Sequence, residues 1–420
     1  MTDHLVVVGA SLAGLRAVEA ARGAGYAGRI TLLGAEPHLP YDRPPLSKEF
    51  LAPAPGDDAA DVVQEPATSL SDHDYLRDEL GVEVRLGVRA TALDVDAHEV
   101  HIEHGDSDHV GERMTAQVGY SALIIATGAT ARALPDAPAL DGVVTLRTLE
   151  DARALRAALD TGSRVVIVGA GFIGSEVAAA AQRRGLPVTI VEALEVPLAH
   201  AVGTIAGRAL TALHERQGTT VRTGVQVAAL TGTDRVQSVK LSDGTSLDAD
   251  VVVVGVGAAP ATDWLTGSGL TVDNGVLCDD TLAAVGVPDV YAAGDVARWP
   301  NPLFGQHMRL EHWTNAAEQG ARAARNALDP DQAEPHSSVP YFWSDWYDSR
   351  LQLVGIVDTE HEPTILGDPH TDRFAVLYRR GDHLVGAFAL NHPRFIVKQR
   401  IAITRRATWH DALTQAEQLI

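Results

Sequence analysis

The hydrophobic pattern repeats one motif over most of the chain. Residues 5–8 are a short apolar run, residues 12–24 carry apolar positions at helical spacing, and residues 30–33 are apolar again. This predicts strand, helix and strand, with strands covered on both faces as in a parallel sheet. The same succession recurs at residues 164–168, 172–184 and 188–191. One strand–helix–strand unit needs only about 30 residues, so openings about 160 residues apart belong to two separate domains. Apolar runs at 120–126 and 251–254 each lead into a glycine-containing turn and read as central strands. Between the openings, residues 52–66, rich in Pro, Ala and Asp, and the polar residues 104–119 are expected to be surface loops, the second a hairpin or meander excursion. After about residue 328 the pattern changes. Tyr341, Phe342, Trp343 and Trp346 cluster, and alternating segments at 373–378 and 384–389 precede a final helical stretch, which predicts a smaller α+β domain.

Composition narrows the class of protein. The 420 residues are 45% hydrophobic and 21% charged, ordinary values for a globular chain. No apolar run reaches the length of a membrane-spanning helix. Met1-Thr2-Asp3-His4 leads directly into the first strand with no basic segment before it, so a cytoplasmic protein is expected. Cys278 is the one cysteine, which excludes an intrachain disulfide, a Cys-x-x-Cys redox pair and a thiolate-held cluster built within the chain. It is expected to be a small buried hydrophobe. The histidines show no metal-ligand spacing, and no metal is expected. A net charge of −21 argues against nucleic acid and anionic membranes as partners. The excess is uneven, because residues 335–420 hold nine basic against ten acidic side chains. Within them, residues 394–406 carry Arg394, Lys398, Arg400, Arg405 and Arg406 and no acid.

Two glycine motifs carry the chemistry. The first, Gly9-Ala10-Ser11-Leu12-Ala13-Gly14, follows a strand and opens a helix. Gly9 permits a tight turn, Gly14 permits close packing of helix on sheet, and the helix N-terminus suits a pyrophosphate. Ser11 replaces the middle glycine; it slightly crowds the approach, though its hydroxyl offers a donor. Glu36 stands 22 residues beyond Gly14, where a carboxylate accepts from ribose hydroxyls. The second motif, Gly169-Ala170-Gly171-Phe172-Ile173-Gly174, has all three glycines, with Glu192 a further 18 residues on. No Lys or Arg follows in Ala193-Leu194-Glu195-Val196, so NADH is expected over NADPH. Two such sites in one chain suggest a flavin and a nicotinamide.

Tyr291-Ala292-Ala293-Gly294-Asp295-Val296 resembles the flavin-ribityl motif of the two-dinucleotide-binding-domain flavoproteins. Ala126-Thr127-Gly128 and Gly255-Val256-Gly257-Ala258-Ala259-Pro260 look like the linking motifs of that superfamily. Tyr41-Asp42-Arg43-Pro44-Pro45-Leu46-Ser47-Lys48 and Glu311-His312-Trp313 resemble the bacterial, putidaredoxin-reductase-like NADH:ferredoxin reductases of cytochrome P450 and Rieske oxygenase systems. Phe342-Trp343-Ser344-Asp345 also matches and is shared with apoptosis-inducing-factor-like proteins; Trp346 stands where Gln is usual. The likeness covers essentially the whole chain. It implies a glutathione-reductase-like α/β fold: two Rossmann-like domains, FAD-binding at 1–140 with 250–328 and NAD-binding at 141–249, and a C-terminal α+β domain at 329–420.

The resemblance also implies roles. Lys48 is expected near flavin N5, with Glu176 paired to it close to the nicotinamide. FAD contacts are expected from Gly9, Ser11, Ala13, Gly14, Glu36, Arg43, Ala90, Thr127, Gly128, Arg132, Asp295, Glu311, His312 and Trp313. Gly169, Gly171, Phe172, Ile173, Gly174, Glu192 and Gly257 are expected at NAD. The implied reaction takes hydride from NADH to the flavin, then passes single electrons to an iron–sulfur ferredoxin, with the cofactor carrying the chemistry. Candidate docking residues are Arg298 and Arg309, or Lys398 and Arg400, on a monomer or weak homodimer. Thiol-dependent relatives are disfavoured, since residues 36–51 contain no cysteine. A rubredoxin or nitrite-reductase type of NADH reductase and a non-catalytic NADH sensor are the alternatives.

Overall fold

The computed structural model describes residues 3–53, 68–104 and 114–420. The chain forms two compact units: Met1–Asp42, Thr68–Thr130 and Ala259–Pro340, and Arg43–Ala67, Ala131–Ala258 and Tyr341–Ile420.

In the first unit, strands His4–Val8, Arg29–Leu33, Val82–Arg85, Ala122–Ile125 and Val290–Ala292 make one parallel sheet. His4–Val8 lies at its centre, flanked by Arg29–Leu33 on one side and Ala122–Ile125 on the other. The strand order reverses there, which places a crevice at the carboxyl end of the first strand, where such sheets bind nucleotides. Leu5, Val6 and Val7 are fully buried, as expected for a strand covered on both faces. Helix Leu12–Gly23 follows and packs closely on helix Trp313–Leu328. Gly320 makes that approach possible, because a Cβ there would lie 2.2 Å from the Ala13 carbonyl oxygen. Strand Thr115–Gly119 pairs antiparallel with Glu99–His104, which gives the expected excursion, although residues 105–113 lie outside the described residues. The loop expected at 52–66 lies outside them from residue 54 onward.

The second unit repeats the design. Strands Thr220–Arg222, Val188–Val191, Val165–Val168, Val251–Val254 and Val143–Val144 form a parallel sheet in that spatial order. Helix Phe172–Arg183 follows the central strand. Its tail is a five-stranded antiparallel sheet with strands Tyr341–Trp346, Ser349–Gly355, His383–Leu390, Phe374–Arg380 and Thr364–Gly367 in order, followed by helices Pro393–Thr404 and Trp409–Glu417. The two parallel sheets and the α+β tail are the architecture that the periodicity predicts. Among the described residues no helix is long and apolar enough to cross a membrane.

Candidate functional site

The first glycine turn is forced by backbone contact. Gly9 has φ +123°, and a Cβ there would lie 2.2 Å from the Ala126 oxygen; one on Gly14 would lie 2.1 Å from the Gly9 oxygen. Neither position accepts a side chain without moving backbone. Ser11 caps the helix: its Oγ accepts from the Gly14 N–H at 3.3 Å and donates to the Ala126 oxygen at 3.1 Å. The hydroxyl is thus turned into the protein, and the donor anticipated for a phosphate is engaged within the turn. Glu36 accepts from the Tyr41 hydroxyl at 2.6 Å, which fixes the carboxylate beyond the second strand. Ala90 sits in strand Val88–Asp94, next to a register shift.

The Gly294-Asp295 turn closes the same unit. Gly294 has φ +79°, and its N–H donates to Gln319 Oε1 at 2.9 Å. One turn earlier on that helix, Asn315 is buried, and neither its Oδ1 nor its Nδ2 has a hydrogen-bond partner among the described residues. Buried polar groups are normally satisfied, so these atoms suit a polar ligand such as FAD. Trp313 Nε1 donates to Asp42 Oδ1 at 2.6 Å, and His312 is the N-cap residue of the helix. Arg309 donates to Glu311 at 2.8 Å and to the Asp295 carbonyl at 3.0 Å. Thr127 Oγ1 donates to the Ala261 carbonyl at 2.9 Å beside Gly128, whose φ is +70°.

The second glycine turn differs in an informative way. A Cβ on Gly169 would lie 2.3 Å from the Gly255 oxygen, and one on Gly174 would lie 2.3 Å from the Gly169 oxygen. At Gly171, by contrast, the nearest atom is 3.9 Å away, so the protein itself does not require glycine there. Gly171 is also the N-cap and makes no side-chain cap hydrogen bond. The first-turn donors, among them the N–H groups of Phe172 and Ile173, are available to an anion. This turn borders a cavity of about 810 Å³ that reaches Gly257. Glu192 lines it, accepting from the Ala170 N–H at 2.8 Å and the Leu194 N–H at 2.9 Å. The described lining contains no lysine or arginine. The donor set fits a dinucleotide without a 2′-phosphate.

Lys48 and Glu176 come together in this second unit. Lys48 Nζ lies 2.8 Å from Glu176 Oε1, and the Glu176 side chain is only 3% exposed. Ser47 Oγ and Ser344 Oγ also donate to this carboxylate, and Trp346 Nε1 donates to Ser344 Oγ at 2.7 Å. Sequence reasoning assigned no role to Ser47, Ser344 or Trp346. Ser47 lies in the Tyr41–Lys48 motif, Ser344 in the Phe342–Asp345 motif and Trp346 directly after it, which is the signal that could have found them. Phe172 packs on Phe342 with ring centroids 4.3 Å apart. Arg132 donates through its backbone N–H to Gly257 at 3.0 Å and through Nε to Ala258 at 3.1 Å. Arg43 donates to the Arg147 carbonyl.

The docking candidates differ in how free their charges are. Arg298 is ion-paired with Asp273, Arg309 is paired with Glu311 and 12% exposed, and the Arg400 guanidinium lies over the Tyr341 ring. Lys398 is exposed on helix Pro393–Thr404 together with Arg394, Val397 and Ile401. Cys278 is buried, and burial pushes its thiol pKa up to about 12.

Comparison with known proteins places this geometry. Residues 3–320 match the pyridine nucleotide-disulphide oxidoreductase family, and residues 341–418 match the reductase C-terminal family. The chain is 38% identical over 408 residues to the biphenyl dioxygenase system ferredoxin–NAD(+) reductase component of Paraburkholderia xenovorans, covering 96% of this chain and 94% of that one. It is 35% identical over 394 residues to rhodocoxin reductase of Rhodococcus erythropolis, covering 93% and 87%. Among solved structures, the covalent putidaredoxin reductase–putidaredoxin complex matches with a TM-score of 0.86 at 30% identity, covering 96% of this chain and 93% of that one. The ferredoxin reductase for the CYP199A2 system of Rhodopseudomonas palustris matches with a TM-score of 0.85 at 30% identity, covering 99% and 100%.

Proposed function

Because this chain belongs to the pyridine nucleotide-disulphide oxidoreductase family, we propose that it carries electrons from NADH through FAD to an iron–sulfur ferredoxin that serves a Rieske or cytochrome P450 oxygenase. It is an FAD-dependent, NAD(H)-dependent oxidoreductase. The observation that carries the reading is the uncapped, three-glycine turn at Gly169–Gly174 beside a cavity whose lining offers Glu192 and no lysine or arginine, in a chain whose one cysteine is buried. A thiol pushed up to about 12 is not ionised at neutral pH, which supports a relay without a disulphide step.

Bound FAD supplies the conversion of a two-electron donor into single electrons. The protein's residues bind and orient. The Phe172 and Ile173 N–H groups and the helix dipole hold a pyrophosphate, and Glu192 accepts from ribose hydroxyls while its charge repels a 2′-phosphate. Lys48 would supply a positive charge toward bound flavin, and Glu176 keeps its ammonium oriented. Ferredoxin docks on the exposed face that carries Arg394 and Lys398, since Arg298 and Arg309 already have carboxylate partners. The protein works in the cytoplasm as a monomer or weak homodimer. The test is NADH oxidation by FAD-loaded protein with an acidic [2Fe–2S] ferredoxin, compared with ferricyanide and oxygen. Rapid ferredoxin reduction with slow oxygen consumption is expected. A colourless protein that takes up no FAD, or one that reduces ferricyanide but no ferredoxin, refutes the proposal.

A further inference from the structure

Glu176 occupies the fifth position of helix Phe172–Arg183, directly after the glycine turn, and is almost fully buried. A carboxylate there must have donors to replace water. Lys48 and Ser47 supply two from one short segment. The third comes from Ser344, 168 residues away on strand Tyr341–Trp346. A serine hydroxyl rotates freely unless its own oxygen is engaged. Here the indole N–H of Trp346 donates to Ser344 Oγ at 2.7 Å, and an indole only donates. The Ser344 proton is thereby directed to Glu176 Oε1, the oxygen that faces Lys48. Trp346 is itself fully buried and stacked on His214 with centroids 4.7 Å apart.

We propose that Ser344, oriented by Trp346, is a positioning residue that locks the Glu176 carboxylate and so holds the Lys48 ammonium in place. Lys48 has a competing acceptor, the Pro44 carbonyl at 3.2 Å. Without the Ser344 hydroxyl, the Glu176 carboxylate keeps Ser47 and Lys48 as donors but loses one of three restraints on its terminal torsion, which has broad minima, and Lys48 shifts toward Pro44. The C-terminal domain thus completes a pair otherwise built from the glycine-turn helix and the Pro44–Ser47 segment. The consequence for electron transfer rests on the NADH–FAD reading above; the positioning itself does not.

The experiment compares wild type, Ser344→Ala and Ser344→Thr as FAD-loaded protein. The first readout is the rate at which trace acetic anhydride acetylates Lys48, followed by mass spectrometry as a function of pH. The second is the flavin midpoint potential together with kcat and KM for NADH. One hydrogen bond to a charged group is worth about a tenfold change. Ser344→Ala should therefore raise Lys48 acetylation at pH 8 about tenfold, lower the potential and reduce kcat more than it changes KM. Ser344→Thr, which keeps the hydroxyl, should restore these values. A folded Ser344→Ala protein with wild-type Lys48 acetylation overturns the proposal. Altered acetylation in a protein whose wild type is not reduced by NADH leaves the positioning standing and refutes the functional reading instead.

Discussion

Replacing Glu192 tests coenzyme choice, and the structure divides the effect into two parts. The carboxylate accepts from the Ala170 N–H, and Ala170 is 2% exposed, so Glu192→Ala leaves a buried donor without a partner. A lost hydrogen bond to a charged group costs about 1.5 kcal/mol at the low end, about tenfold in kcat/KM. The Leu194 N–H adds little, because Leu194 is exposed and water replaces the carboxylate there. The second part is repulsion of a 2′-phosphate. Two unit charges about 5 Å apart at an effective dielectric of about 20 repel by about 3 kcal/mol, roughly 100-fold. Glu192→Ala should therefore lower NADH efficiency about tenfold and raise NADPH efficiency by a similar factor, shrinking the preference roughly 100-fold. Glu192→Gln keeps an acceptor for Ala170 and removes the charge. It should leave NADH within a few-fold of wild type while narrowing the preference. The assay is steady-state oxidation of each coenzyme with ferricyanide as acceptor at low and high salt. Equal efficiencies in the wild type, or a preference unchanged in both variants, would refute the reasoning.

Three further outcomes are expected. Cys278→Ser should leave NADH–ferricyanide turnover within a few-fold of wild type and cost ~1 kcal/mol of stability, and iodoacetamide should not label the native thiol at pH 8; loss of flavin reduction in a folded variant would count against a thiol-free relay. Arg394→Glu with Lys398→Glu should raise the ferredoxin KM and flatten its salt dependence while ferricyanide reduction stays nearly unchanged, because rim charges act mainly on association; an unaltered salt profile would place docking elsewhere. His214 and His336 are buried, and burial pulls each pKa down to about 4 from 6.5. Between those values the unfolded chain binds more protons, so stability is full above about pH 6.5 and falls as pH drops toward 4, by up to ~1.4 kcal/mol per pH unit for each histidine; melting curves from pH 7.5 to 4.5 that do not move to lower temperature would refute this.

Local sequence determined the strands and the two glycine turns. The runs at 5–8 and 165–168 are apolar over a strand's length, and Gly9, Gly14, Gly169 and Gly174 answer contacts with backbone of their own motifs or of the neighbouring strand's end. Such features were legible because periodicity and turn sterics depend on residues close together in the chain. Glu192 was legible for the same reason, since it ends the strand that follows its motif. Packing decided the rest. Ser11 looked like a phosphate donor, yet its hydroxyl finds Ala126, 115 residues away, and turns inward. In the sequence Arg298 with Arg309, and Lys398 with Arg400, stand as two alternative docking pairs. Folding gave the first two carboxylate partners, laid the guanidinium of Arg400 over Tyr341, and left Lys398 exposed. Ser344 matters only because a strand from the tail sheet reaches Glu176. Which distant polar groups meet is set by how elements pack, and no local pattern in the chain records it.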